Sequence, residues 1–497
     1  MEIFKTPYSR VFIIEDGAAP QNVPEYLGLA AAGANSWKQG TLTPIRKPSD
    51  ERYGEFDIID MIQGAPDLPQ LTIESRMRPL ISDLLKIVKK GCAVDIQVHI
   101  GSCQNPQDFN GGWEMVRVLE LAHASDYNTS NLGALDADQQ AAVTETVPFS
   151  GENLFDLKHL RPQEVAQTAL TDIVNRVLIC DAKSCGECGV SSDGCQIQFA
   201  ITGPTTGSPG LPSEVLYSID GGHTWSSTSI SGLALGSAAT DAACVGANLV
   251  VISSTDNALF YAPIADILTH TETWTKVTTG FVATKTPNRI VSLGTNLTWI
   301  AANGGYVYFT DDVTTGVTAQ TDGSVTTQNL GGIHAFDKDN VVAVGAANVV
   351  LDSINGGDTW SLITGPSVGV VLNTVFMQSA SRWLVGDAGG NLSYTLTSGY
   401  SWVAKLFPGS GAGSVRDIQF ASKCVGYMAH DTAAPAGRVL RTIDGGHSWV
   451  VMPEQAGIPV PSVASIKAIA ACEDDPNVLL AGGTNANGSD GALFLYS

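Results

Sequence analysis

The sequence predicts a mainly β chain of two parts: an N-terminal β-sandwich or barrel with one packed helix, residues 1–170, then a seven-bladed β-propeller, residues 171–497. Three observations predict this. A short turn phrase, S/T-x-D/N-G-G-x-T/S-W, recurs three times with a worn fourth copy, all after residue 210. Tryptophans at the end of such units stand at 225, 274, 360, 402 and 449, a spacing of one four-stranded blade. Residues 1–170 lack the phrase and instead combine one helical period with alternating strands.

In chain order, a polar stretch from Gly33 to Arg52 comes first, too long for an ordinary connection. Strand-like Glu55–Ile62 and Leu71–Ser75 follow. Pro79 then opens a predicted helix in which Ile81, Leu84, Leu85 and Val88 share one face, closed by Lys89, Lys90 and Gly91. Two strands are predicted next, over Ala93–Ile100 and Trp113–Ala122. One amphipathic helix on a sandwich or barrel is the economical arrangement.

The repeats are Ser218-Ile-Asp220-Gly-Gly222-His-Thr224-Trp225, Ser353-Ile-Asn355-Gly-Gly357-Asp-Thr359-Trp360 and Thr442-Ile-Asp444-Gly-Gly446-His-Ser448-Trp449, with the worn copy Thr395-Leu-Thr397-Ser-Gly399-Tyr-Ser401-Trp402. Each phrase predicts strand, tight turn, strand. The short polar side chain bonds the turn backbone, glycine takes positive φ, and tryptophan packs beside the hairpin. These residues resemble the Asp-box, or BNR, repeat of β-propellers, which implies a structural role for all fifteen named positions of the three full copies.

Between Gly332 and Ile363 the blade pattern is most regular: strands over Ile333–Phe336, Val341–Val344, Val349–Ser353 and Trp360–Ile363. Third strands near Ser218, Ile264, Phe309, Ser353, Tyr394, Thr442 and Ser497 give seven blades. The segment Leu493–Ser497 matches a third strand with no fourth after it, so an upstream segment around Thr171–Val177 is expected to close the ring.

The formal charge is −22, from 14 basic and 23 acidic residues before position 171 and 13 and 26 after it. Such a chain is a poor partner for nucleic-acid phosphates. No basic, then apolar, leader and no run of apolar residues long enough for a membrane span occur, so a soluble chain made in a cytoplasm is expected. Cys180, Cys185, Cys188 and Cys195 cluster where the two parts meet. Two disulfides, a tetrahedral zinc and four plain thiols all remain open for that cluster.

The order of helix 79–90, Gly91–Gly101, the strand from Trp113 and the segment Leu132–Leu154 resembles a bacteriophage tail tube protein of the long-tailed, flexible type. The resemblance covers about 130 residues. It implies homo-oligomeric rings stacked into a DNA-conducting tube in a virion, with other tail proteins as partners and the propeller as an outward decoration. An acidic lumen would let viral DNA pass without specific binding, and the polar stretch 33–52 would contact the next ring.

Asp-box propellers include glycosidases that grip a carboxylate with three arginines. After residue 200 this chain has only Arg289, Arg382, Arg416, Arg438 and Arg441, without the expected Arg-Ile-Pro phrase. No catalytic residue, cofactor or metal ligand beyond the cysteine cluster is expected, and the chain is predicted not to be an enzyme. The alternative is a binding module for cell-surface glycan or protein. Trp299, Trp383 and Tyr306 are expected in the core rather than on its face.

Overall fold

A computed structural model describes residues 9–15, 25–30, 36–38, 45–48, 56–60, 70–76, 93–100, 113, 115–124, 128–130, 144–165, 172–180, 195–204 and 212–497, the last with short interruptions at 295, 367–368, 433–436, 454–462 and 488–489. The predicted helix 79–90, Cys92, Cys103, Cys185 and Cys188 lie outside the described residues. The chain divides into two compact units, Met1–His159 and Leu160–Ser497.

The first unit is built from β1 (Ser9–Glu15), β2 (Glu25–Ala30), β3 (Ser36–Lys38), β4 (Ile45–Pro48), β5 (Phe56–Asp60), β6 (Gln70–Arg76), β7 (Val94–Ile100), β8 (Met115–Ala124), β9 (Asn128–Ser130), β10 (Thr144–Ser150) and β11 (Asn153–Lys158). Nine of these form one antiparallel sheet, ordered β2-β1-β7-β8-β10-β6-β3, with β11 on β8 and β9 on β10. Strand β8 is the corner. Its first six residues pair with β11, and its last two, His123 and Ala124, pair with β10. Between them Leu121 takes φ 51, and its amide donates to Asp95 Oδ1 at 2.8 Å. A non-glycine residue in that region bends the strand, and the buried carboxylate satisfies the amide the bend strips from the ladder. Phe12, Ile14, Ile96, Val116, Val118 and Leu119 form the core beside it. Strands β4 and β5 form a separate hairpin that pairs with none of the nine.

The second unit is propeller-like and contains, among the described residues, seven antiparallel sheets of four strands. Their first strands, in order of sheets I to VII, are Val174–Cys180, Ala239–Val245, Pro287–Leu293, Leu330–Ala335, Leu372–Met377, Ser414–Phe420 and Val463–Ala471. Each first strand contacts the next, and the seventh contacts the first, so these strands ring a common axis. Apolar clusters fill the wedges between neighbouring sheets: Phe199, Phe260 and Trp274 lie between I and II, and Val342, Val350 and Trp383 between IV and V. Strands whose two faces are both covered carry continuous apolar runs such as Val341-Val-Ala-Val344.

One strand expectation needs correction. The closing strand of sheet VII is β12 (Pro162–Glu164), paired with Gly491–Tyr496, whereas Val174–Cys180 is the inner strand of sheet I. Arg161 and Ser497 exchange backbone hydrogen bonds at 3.2 and 3.4 Å and extend that ladder. The third strand of sheet II, Ala258–Pro263, ends beside Ile264 as expected, and Ile264–Leu268 is a short helix. Proline there fixes φ at −59 and the chain turns into the helix.

Disulfides join Cys180 to Cys244 and Cys195 to Cys472, with Cα–Cα distances of 6.1 and 5.7 Å. This overturns pairing or metal binding among the four clustered cysteines as far as Cys180 and Cys195 are concerned. Radial sheets place each beside a neighbouring sheet: Cys180 meets the inner strand of II, and Cys195 meets the end of the inner strand of VII. Both staples therefore bracket sheet I. Reduction, or Cys195→Ser, is expected to lower the stability of the second unit by about 2–5 kcal/mol, read from urea midpoints with and without reductant. An unchanged midpoint would show that neither bond constrains the unfolded chain.

Candidate functional site

Every inner strand of the second unit carries the same irregularity near its start. The register against the second strand slips by one residue between Val174 and Arg176, Ala239 and Asp241, Pro287 and Arg289, Leu330 and Gly332, Leu372 and Thr374, Val415 and Asp417, and Val463 and Ser465. A bulge leaves one residue unpaired and re-aims its neighbours. Three of the extra residues are asparagines that reach the next sheet. Asn175 Nδ2 donates to Ala239 O at 3.1 Å, Asn288 Nδ2 to Leu330 O at 2.8 Å, and Asn373 Nδ2 to Val415 O at 2.9 Å.

The residues just after the slip build a charged plug around the axis. Arg176 Nη1 donates to Asp417 Oδ2 at 2.8 Å, and its Nε lies 3.1 Å from Asp241 Oδ1. Arg289 Nη2 donates to Asp417 Oδ1 at 2.6 Å, and its Nε lies 3.4 Å from Asp241 Oδ2. Both carboxylates also accept from backbone: Asp241 from Ile290, Asp417 from Ile418 and Ile469. Asp417 is wholly buried and Asp241 is 1% exposed. Two guanidinium groups and two carboxylates thus neutralise one another and tie sheets I, II, III, VI and VII together. Low local dielectric makes each of these pairs strong and each unpaired member costly.

His334, on the inner strand of sheet IV, lies within electrostatic range of this plug. Burial, then the Arg289 charge, push its pKa down to about 4, against the opposing pull of Asp417. The ring therefore stays neutral at ordinary pH. Its Nδ1 accepts from the Met377 amide at 3.3 Å, and Phe376 packs 4.4 Å away between ring centroids.

The arginines do not converge. Arg289 belongs to the plug. Arg382 donates to Gly445 O at 2.6 Å, Arg416 to Asp431 Oδ2 at 2.7 Å, and Arg438 to His430 Nδ1 at 3.2 Å, while Arg441 lies 1% exposed beside the Tyr427 ring. Among the described residues no group of three or more His, Cys, Asp or Glu is placed to hold a metal.

The repeat turns are not brought together either, since each sits in its own sheet between third and fourth strands. Their geometry is internal. Ser218 Oγ donates to Asp220 Oδ1 at 2.8 Å and accepts from the Gly222 amide at 2.9 Å. Asp220 in turn accepts from the Thr224 amide at 2.8 Å and hydroxyl at 2.6 Å. Thr442, Asp444, Gly446 and Ser448 repeat the pattern, as do Ser353, Asn355, Gly357 and Thr359, except that Asn355 Nδ2 donates to the Thr359 hydroxyl at 2.9 Å. Gly222 sits at φ 91, so its amide points at the serine without strain. Trp225 Nε1 donates to Gly222 O at 2.8 Å, while Trp360 and Trp449 are buried between sheets. Ser218→Ala should cost about 1–3 kcal/mol by stranding the Gly222 amide, against almost nothing for exposed Ser227→Ala in the same thermal melts. Equal shifts for both would remove the turn's stabilising role. His447 is pushed down to about 4 by burial, despite Asp444 nearby, while His223 stays exposed. Trp299 and Trp383 are buried and Tyr306 half-buried.

Arg176, Asp241 and Asp417 did not stand out in the sequence as a constellation. The signal was available as a charge placed third or fourth in each of several apolar inner strands.

Compared with known protein families and with curated proteins, the chain matches none. Among solved structures it is similar to the WD40 repeats of RRP9, with a TM-score of 0.50 at 8% identity over 68% of this chain and 97% of that one. It is also similar to YCF48 from Cyanidioschyzon merolae, at 0.49 and 16% identity over 68% and 98%. The likeness is one of fold, and that fold is a β-propeller.

Proposed function

We propose that this chain is a virion structural protein: a tail tube subunit forming stacked rings around a DNA-conducting channel, with a seven-bladed Asp-box propeller appended. The observation that carries the reading is in the first unit. Its nine-stranded sheet ends on β2 and β3, whose outer backbone edges have no partner strand among the described residues, and the β4–β5 hairpin stands apart from that sheet. An unpaired edge is a template for pairing with another chain. In a ring, the edge of one subunit would continue the sheet of the next, and the hairpin from the polar stretch would reach the adjacent ring. The overall charge of −22 suits a lumen that DNA passes without adhesion. Negative-stain images of the purified chain test this directly: rings or tubes with a central hole support it, and a monomer at high concentration removes it.

A second reading, a binding module for protein or glycan, is favoured by one specific feature. Leu362, Tyr400, Val403 and Leu406, on or beside the outer strands of sheets IV and V, are exposed. Trp402 Nε1 donates to Thr364 O at 2.9 Å, which holds those two outer strands side by side. Glycoside hydrolysis draws no support from arginines that bond to separate partners.

A further inference from the structure

The plug accounts for Arg176 and Arg289, but not for two further cations on neighbouring inner strands. Arg416 is the extra residue at the common slip of sheet VI, and Lys467 is the extra residue at a second slip, between Ile466 and Ala468, in the inner strand of neighbouring sheet VII. Arg416 gives Nε to Asp431 Oδ2 at 2.7 Å, and its side chain remains 45% exposed. Asp431 is already engaged elsewhere, accepting from Ser465 Oγ at 2.9 Å and the Ile466 amide at 3.2 Å. Lys467 is half-buried, and its Nζ donates to Asn175 Oδ1 at 3.3 Å. A guanidinium has five N–H donors and an ammonium three, so most of the donating capacity of this pair is unspent.

The electrostatics point the same way. Burial lowers the Lys467 pKa, and the nearby Arg416 charge lowers it further, against the pull of Asp431. Adjacent inner strands thus carry two like charges, in a part of the chain (residues 171–497) with 13 basic and 26 acidic residues. Among the described residues at this end, Arg176, Arg289 and Arg416 pair with Asp241, Asp417 and Asp431, and Lys467 adds a fourth cation to those three carboxylates. An incoming anion would relieve that imbalance. The extra residue of sheet IV, Gly331, is exposed and brings no side chain.

We infer that this end of the axis is an oxyanion site, where Arg416 and Lys467 together bind one carboxylate or phosphate group. A planar guanidinium fork matches either group, and the adjacent ammonium adds a third donor. The ligand is a small molecule bearing such a group, either a sugar acid or free phosphate. This goes beyond the structural role proposed above and stands whether or not the chain assembles into tubes.

The test is calorimetric titration of the full-length, unassembled chain at low ionic strength with glucuronate, with inorganic phosphate, and with uncharged glucose. At least one anion should bind and glucose should not. Tighter binding of glucuronate identifies a sugar-acid site, and tighter binding of phosphate a phosphate site. Arg416→Gln and Lys467→Met should each weaken the preferred anion about tenfold or more. Arg416→Lys, which keeps the charge without the fork, should lose less than Arg416→Gln, and the remote Arg382→Gln should leave affinity unchanged. Circular dichroism checks that each variant is folded. No binding of either anion, or binding that survives both Arg416→Gln and Lys467→Met, would overturn the assignment.

Discussion

Excising the β4–β5 hairpin, residues 45–60, and bridging the gap with a short Gly-Ser linker should abolish tubes while leaving both units folded. The hairpin shares no ladder with the nine-stranded sheet, so its removal takes no hydrogen bond from that sheet. Within the ring proposal it is the inter-ring arm, and isolated hairpins gain order chiefly by docking. Purified full-length chain at high concentration should show tubes in negative stain and pellet on ultracentrifugation. The excised variant should give at most single rings, and essentially none should pellet. Its thermal transition for the second unit should match the parent. Tubes of undiminished length from the variant would exclude the hairpin as the stacking element. A parent that never assembles would exclude the tube altogether.

Asp417→Ala should be the most damaging single change in the second unit. It removes the acceptor of Arg176 Nη1 and Arg289 Nη2 and strands the Ile469 amide of the neighbouring sheet. Two guanidinium groups would then share Asp241 in a buried setting, and breaking a buried pair in this way costs about 3–5 kcal/mol. Urea unfolding followed by tryptophan fluorescence should report that loss. The fourfold replacement Arg176→Met, Asp241→Leu, Arg289→Met and Asp417→Leu should recover much of it, because removing all the charges together removes the desolvation penalty with them. If Asp417→Ala alone shifts stability by less than about 1 kcal/mol, the plug is not a buried ion network but a solvated one.

The sequence carried the second unit where a residue's identity is demanded by its backbone. The turn phrase needs a hydroxyl, a carboxylate or amide, and a glycine in fixed order, so Ser218 to Trp225 and its copies marked the junction of third and fourth strands. The predicted strand Val349–Ser353 coincides with the observed one, and Val341–Val344 falls one residue short of it. The closing strand was misplaced for the opposite reason. Pro162–Glu164 is held through backbone groups that any sequence supplies, and its three residues show no apolar alternation. The partners of Cys180 and Cys195 were equally illegible, being 64 and 277 residues away. Neighbours across a ring of sheets leave no trace in local spacing. The charged plug is an intermediate case: each member is visible as an odd residue in an apolar strand, but only the common register slip shows that they meet.

That Pro162–Glu164 complete the sheet ended by Gly491–Tyr496 has a consequence for biogenesis. Sheets I to VI leave the ribosome before their circle has a last member, and the earliest-made strand of the unit must wait, unmated, for the latest. Premature termination anywhere before Gly491 would therefore yield an open arc with two sticky ends rather than a smaller wheel. Such fragments are natural candidates for concatenation with one another and for chaperone capture.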